Sequence, residues 1–232
     1  MGSWKMGKKS RCSGMEIGRF DVITEKRRCC MSPKVTQAYK EEKRAIILEG
    51  ALHCFIEKGF QATTIDDIVR HLGMSKGAIY SYFSSKEEMY IQMADDKMNA
   101  MVENSSEHFK NMPSAADQIR YMFDRFRRQS LDELRKWLAF HLEFMLYAAR
   151  QPELTERWNQ YASKALLFMQ EIMEGGLKTG EFRSDLDIAA ASRLFWSVRD
   201  GLALQFMLSG EETDYKSMIN EMEKKVFRYI IG

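Results

Sequence analysis

Residues 63–90 read TTIDDIVRHLGMSKGAIYSYFSSKEEMY, and the punctuation of this stretch decides the fold. Thr64 followed three residues later by Asp67 makes a capping box with the shorter acid. Behind it Ile65, Ile68, Val69 and Leu72 share one helical face. Gly73 offers the left-handed position that closes this helix after barely two turns, too short to persist without packing. Ser75 is an N-cap for a second short helix, with Ile79 and Phe83 one turn apart on its inner side. Ser85 and Glu88 form another capping box, opening a fourth helix that runs to about Asn104. Upstream, Ile47, Leu48, Ala51, Leu52 and Phe55 recur at three- and four-residue steps before Gly59. Helix, short helix, glycine turn, short helix and connector together spell a helix-turn-helix inside a small three-helix unit.

Outward from this unit the pattern stays helical. Only three prolines interrupt the chain, at 33, 113 and 152. Pro113-Ser114 opens a helix ending near Gln129-Ser130. Leu131 to Arg150 forms the next, stopped by Pro152. Pro152 to Lys178 is long and closes at Thr179-Gly180, and Asp187–Leu208 and Asp214–Ile231 complete the set. The expected fold is all-α: an N-terminal helix-turn-helix domain over 37–86 and a larger helical domain over 87–232, preceded by an extension over 1–36. With 45% hydrophobic and 29% charged residues the chain has the makings of a packed core. No apolar run reaches the ~20 residues of a membrane helix.

The net charge of +2 is unevenly placed. Residues 1–30 hold eight Lys/Arg against three Asp/Glu, a balance of +5, so 31–232 carry −3 of the total. Any nucleic-acid contact must then come from local placement of charge and not from a cationic body. Residues 1–30 lack apolar period and caps. They read as an unstructured or non-native extension with Met31 as the natural start, or as a basic arm that follows a DNA groove. Cys12, Cys29 and Cys30 fall in this extension and Cys54 stands alone, so neither a disulfide framework nor zinc is indicated. The cytoplasm suits such cysteine usage, and no cofactor is expected.

On the third helix the outward positions are Lys76, Gly77, Tyr80, Ser81 and Ser84. Small side chains let a helix sit deep in a major groove about 12 Å wide, and Lys76 can donate to a guanine edge. Tyr80 and Lys86 are placed for phosphates, as are Thr64 and the amides opening the second helix. At this point Thr63–Glu88, with Tyr80-x-Tyr82-Phe83 and Lys86, resembles the N-terminal signature of the TetR/AcrR family of bacterial transcriptional regulators, and Ile47-Leu48…Ala51…Phe55…Lys58-Gly59-Phe60 fits the same pattern. The resemblance covers about 45 residues; farther on it rests on helicity, length and the Asp200-Gly201 pair. It implies an Ω-shaped homodimer on palindromic double-stranded DNA, most simply a repressor released by a small apolar effector. By position it puts Lys76, Gly77, Ala78 and Ser81 at bases, and Thr64, Tyr80, Tyr82 and Lys86 at phosphates. With so few polar atoms at 77, 78 and 81, readout would lean on Lys76 and on DNA shape.

In the C-terminal half, Leu131–Arg150 is apolar nearly all round and is expected to run through the middle of its domain. Met122, Phe126, Trp137, Phe140, His141, Phe144, Trp158, Tyr161 and Phe195 are the candidate lining of a ligand pocket, aromatic and methionine side chains being large and adaptable. Ordinary core is the competing reading for each. Ala190, Leu194, Val198, Leu202 and Phe206 form a stripe around mid-helix Gly201, a residue that permits close backbone approach. The expected dimer seam is Ala191, Leu194, Val198, Leu202, Phe206 and Phe227 on the last two helices. Two rival readings find less support in the residues. An enzyme lacks a nucleophile elbow, metal spacing or a phosphate loop; Gly175-Gly176…Gly180 has no Lys-Ser/Thr ending. A helical adaptor would keep the fold without DNA binding, and the salt dependence of duplex binding separates it from a regulator.

Overall fold

The computed structural model describes residues 36–232, and residues 37–232 form one compact unit. The extension read over 1–36, apart from Thr36, lies outside the described residues, and with it the basic arm and three cysteines. Within them the chain is helical: α1 (Gln37–Lys58), α2 (Ile65–Leu72), α3 (Lys76–Tyr80), α4 (Lys86–Phe109), α5 (Ala115–Arg128), α6 (Leu131–Ala148), α7 (Pro152–Thr179), α8 (Ile188–Gln205) and α9 (Glu212–Ile231). No helix there is long and apolar enough to cross a membrane.

The caps read from sequence hold with one change. Thr64 accepts from the Asp67 amide while the Asp67 carboxylate accepts from the Thr64 amide, and Gly73 closes α2 at φ 64°. Ser85 caps α4 through the Glu88 amide, but the Glu88 carboxylate reaches back one residue farther, to the Ser84 amide and hydroxyl. Glu181 supplies a cap that no local pattern announced. From the turn after α7 its carboxylate accepts from Ser114 Oγ and from the Ala115 and Ala116 amides that open α5. Desolvation opposes its charge, yet these donors and Thr179 hold its pKa down at about 2.

Two hydrophobic cores organise the helices, and α6 belongs to both. Its Leu131, Leu134 and Leu138 join α5, α7, α8 and α9, packing with Ile119, Phe123, Met169, Phe195 and Ile219. Its Phe140, Phe144 and Ala148 enter the core of the first four helices, alongside Phe55, Phe60, Ile68, Ile79, Phe83 and Tyr90. The central position expected for α6 is therefore met, but its burial is not all-round: Met145 and Leu146 face solvent, Leu146 at 67% exposure. Leucines three and four apart face one core, and aromatics four apart face the other.

Phe60 is wholly buried between these elements, with ring centroids at 5.3 Å from Phe55, 5.7 Å from Tyr90 and 5.1 Å from Phe144. Such aromatic pairs contribute roughly 0.5–1.5 kcal/mol each beyond area burial. The Tyr90 hydroxyl is hydrogen-bonded to His141 Nδ1, linking α4 to α6. Burial, chiefly, holds His141 down at about 4, so it stays neutral, and burial pushes the Tyr90 hydroxyl far above the usual phenol range.

A histidine whose folded pKa is depressed binds its proton more readily unfolded. His141 should therefore cost stability as pH falls from about 6.5 towards 4, at no more than about 1.4 kcal/mol per pH unit, and nothing further below that window. Urea titrations at pH 7.5 and 5 should show His141→Gln, which keeps an acceptor but cannot titrate there, losing less stability on acidification than the parent.

Candidate nucleic-acid interface

The reading head is built by short-range geometry. Ser75 caps α3 by accepting from the Ala78 amide at 3.2 Å. Ile79 and Phe83 are at 0% and 1% exposure, which turns Lys76, Gly77, Tyr80 and Ser81 outward. Tyr80 is 46% exposed, and no atom would meet a Cβ at Gly77 within 4 Å. Ala78 is half-buried, and the Ser81 hydroxyl donates to the Ala78 carbonyl. The outer side of α3 is thus low and open, with one aromatic and one cation rising from it.

That cation is not idle. Lys76 Nζ lies 2.8 Å from Asp66 Oδ1, and the bond raises the lysine pKa. Both side chains are more than half exposed, so the pair is weak and readily exchanged for a base edge or phosphate.

Two of the expected phosphate contacts are differently employed. The Lys86 ammonium is turned inward and donates to the carbonyls of Phe60, Gln61 and Thr63 at 2.8–3.0 Å. Its three protons are thereby spent on the α1–α2 turn, with the Phe60 ring 4.7 Å beneath, and burial lowers its pKa. The Thr64 hydroxyl and amide both donate to Asp67 Oδ2. In place of side-chain clamps, these residues shape the backbone at the openings of α2 and α4. Tyr82 packs half-buried against the head's core. Sequence reasoning missed Arg44 on α1, whose guanidinium covers the Phe83 ring at 4.7 Å beside the end of the reading head. Its signal was its place one turn before Leu48, on the face that α1 packs inward.

The same turn is held from the body side. Glu143 of α6 accepts from the Gln61 amide at 3.0 Å, and a Cβ at Gly59 (φ 81°) would lie 2.5 Å from its carboxylate. Glycine is required there both for its backbone angle and for this approach.

The candidate pocket residues separate into two groups. Met122, Phe126 and Phe195 belong to the core of α5 and α8, where Met122 and Phe195 are at 0% and 1% exposure. Phe140 and Phe144 are equally buried in the head's core. Those five are therefore buried members of the subunit's two cores. Trp137, His141, Trp158 and Tyr161 are only partly buried and lie together, with centroids 6.2 Å apart for Trp137 and His141, 5.3 Å for His141 and Trp158, and 4.6 Å for Trp158 and Tyr161.

The expected seam also divides. An apolar groove of about 330 Å³ between α8 and α9 is lined by Ala191, Leu194, Val198 and Leu202, with Met218, Met222 and Tyr229 opposite. Leu194 and Val198 are exposed, while Ala191 and Leu202 are buried in their own subunit's core. Phe206 and Phe227 are not on this groove: Phe206 packs on Tyr215 under Gly210, and Phe227 turns towards α5 beneath Arg120. Nothing within the subunit comes within 4 Å of a Cβ at Gly201, so the close approach expected there is not made internally.

A capped two-helix reading head fused to a helical body defines a helix-turn-helix DNA-binding regulator. Residues 47–93 match the model for bacterial regulatory proteins of the tetR family, and residues 117–226 match that for the C-terminal part of BetI-type transcriptional repressors. The chain belongs to the TetR family and is a transcriptional regulator, not an enzyme. It is 28% identical over 208 residues to the uncharacterized HTH-type transcriptional regulator YfiR of Bacillus subtilis, covering 87% of this chain and 98% of that one. Among solved structures, the fatty acid degradation regulator FadR of Bacillus halodurans superposes with a TM-score of 0.67 at 18% identity, covering 80% of this chain and 94% of that one. FadR of Bacillus subtilis in complex with stearoyl-CoA does so with a TM-score of 0.61 at 20% identity, covering 80% and 98%.

Lys76→Ala should cost about 1–3 kcal/mol in specific binding and relax the preference at one base pair, measured by titration against point-mutated sites. Equal loss on random duplex would remove Lys76 from base readout. Asp66→Asn, by freeing that lysine and deleting a carboxylate near the phosphates, should tighten binding to any duplex several-fold at low salt. Unchanged affinity would show that the Lys76–Asp66 pair has no bearing on DNA.

Proposed function

We propose that the protein is a repressor that works as a homodimer in the cytoplasm, binds a palindromic operator and lets go when a small effector enters its body. The observation that carries the DNA-binding part is the outer side of α3, low at Gly77, Ala78 and Ser81 and armed with Lys76 and exposed Tyr80. Lys76 and Ser81 face bases; Tyr80, Tyr82, Arg44 and the amides that open α2 and α4 face phosphates. Residues 37–86 act as the head and 87–232 as the body.

Pairing of α8 and α9 with their copies supports the dimer. The groove with its exposed Leu194, Val198, Met218 and Tyr229 is apolar enough to need cover, and a two-fold four-helix contact supplies it. Exposed Gly201 then lets two α8 backbones approach. The effector site is the space bordered by Trp137, His141, Trp158 and Tyr161. Release follows from the shared role of α6. A ligand that shifts Trp137 and His141 also moves Phe140, Phe144 and Glu143, which grip the head. Half-sites one helical turn apart tolerate little change in head spacing, and a coupling of roughly 1–3 kcal/mol suffices for a switch.

Selection of bound sequences from a random duplex pool should return a palindrome; recovery of no sequence, or indifference to duplex at low ionic strength, refutes the reading. Leu194→Asp should yield monomers by sedimentation with the melting temperature of the subunit preserved, because this leucine is exposed within its own chain, unlike Ala191 and Leu202. A dimer that survives it places the seam elsewhere.

A further inference from the structure

The polar side chains between α4, α6, α7 and α8 are out of balance. Lys97 of α4 forms no ion pair among the described residues. Its Nζ lies 3.8 Å from the Trp137 ring centroid, and its pKa is lowered, first by loss of water and then by the charge of Arg199, with Glu133 offsetting only part of this. Arg199 of α8 meets Asp200 through Nη1 at 2.8 Å, but that carboxylate is 65% exposed and satisfies only one edge. Arg199 Nε is buried with no hydrogen-bond partner among the described residues. The Tyr215 hydroxyl, also buried and without a partner there, feels the charges of Arg199 and Asp200 from α9. Burial keeps His141 neutral against the pull of the Asp200 carboxylate, and Arg199 and Lys97 also oppose its protonation, so it adds no compensating charge.

Like charges brought together out of water repel more strongly than in bulk, and a buried donor with no acceptor costs stability. One anion relieves both. A guanidinium presents a planar fork that a carboxylate matches in two parallel bonds, while an ammonium adds a point charge from the side. Flanking rings, with Arg199 5.4 Å from the Phe126 centroid and Trp137 and Tyr161 half-buried beside it, favour an apolar body behind the headgroup over a small inorganic ion. A wholly apolar guest would leave Arg199 Nε orphaned.

We infer that this space takes an organic carboxylate, its headgroup on Arg199 and Lys97 and its flat apolar body against Trp137 and Tyr161. The inference rests on the effector reading above and narrows it from an apolar molecule to an amphipathic acid.

The test is calorimetry of the full-length protein with three probes that share one ring system: 2-naphthoate, 2-naphthamide and 2-naphthylmethylammonium. The carboxylate should bind at least about tenfold more tightly than the amide, as expected for charge-assisted hydrogen bonds out of water, and the cation should bind weakest. Arg199→Gln and Lys97→Gln should each erode the preference for acid over amide, whereas Lys178→Gln, the same charge change on an exposed part of α7, should not. If Arg199→Gln melts early, Arg199→Lys keeps the charge without the fork, and should weaken the carboxylate several-fold while sparing the amide. No binding of the acid, equal binding of acid and amide, or a preference that survives in Arg199→Gln overturns the proposal. Release of DNA is measured separately on the selected operator. Acid binding without release refutes the effector reading and leaves this site standing; release by the amide or the cation alone does the reverse.

Discussion

Aromatic packing around Phe60 and Tyr90 makes head and body a single solid. The reading head is a small unit, and small units bury too little surface to be stable alone. Here the deficit is met from the body, since Phe140, Phe144 and Ala148 of α6 complete the core of the first four helices. Close-packed interiors transmit displacement instead of absorbing it. Any change in the pitch of α6 therefore has to appear at the head. The Tyr90–His141 hydrogen bond lies along the same seam and removes a polar freedom that would otherwise loosen it.

A second tie runs through the backbone of the α1–α2 turn. Lys86 enters it from α4 and takes three carbonyls, while Glu143 enters from α6 and takes the Gln61 amide. The two charges saturate a turn that would otherwise leave carbonyls and an amide for water. This arrangement sets the attitude of α2, and with it the angle at which α3 is presented. A lysine whose position in the chain suggests a phosphate contact is here turned inward, onto the turn that positions α2.

The body has two unfinished regions of opposite character. Between α8 and α9 an apolar groove remains uncovered, and hydrophobic burial is enough to account for a partner there. Between α4 and α8 the deficit is electrostatic: a lysine with no ion pair and an arginine nitrogen with no acceptor among the described residues. Such groups raise the energy of the body as it stands, because a buried donor without an acceptor costs stability.

The head was legible in the sequence because everything that forms it is local. Thr64, Gly73, Ser75 and Ser85 act within four residues of themselves, and the apolar spacing of Ile65, Ile68, Ile79 and Phe83 dictates which sides turn in. The extents of the later helices followed in the same way from Ser114, Pro152, Gly180 and Asp187. What the chain could not show by itself was which aromatic residues are fully buried and which only partly, because Phe140 and Trp137 look alike in a helical stripe. Nor could it show that Phe206 and Phe227 turn away from the groove, that Lys86 points inward, or that Glu181 caps a helix 65 residues upstream. Those outcomes depend on which helices meet at long range, and burial and hydrogen-bond partners are properties of that meeting and not of any local stretch.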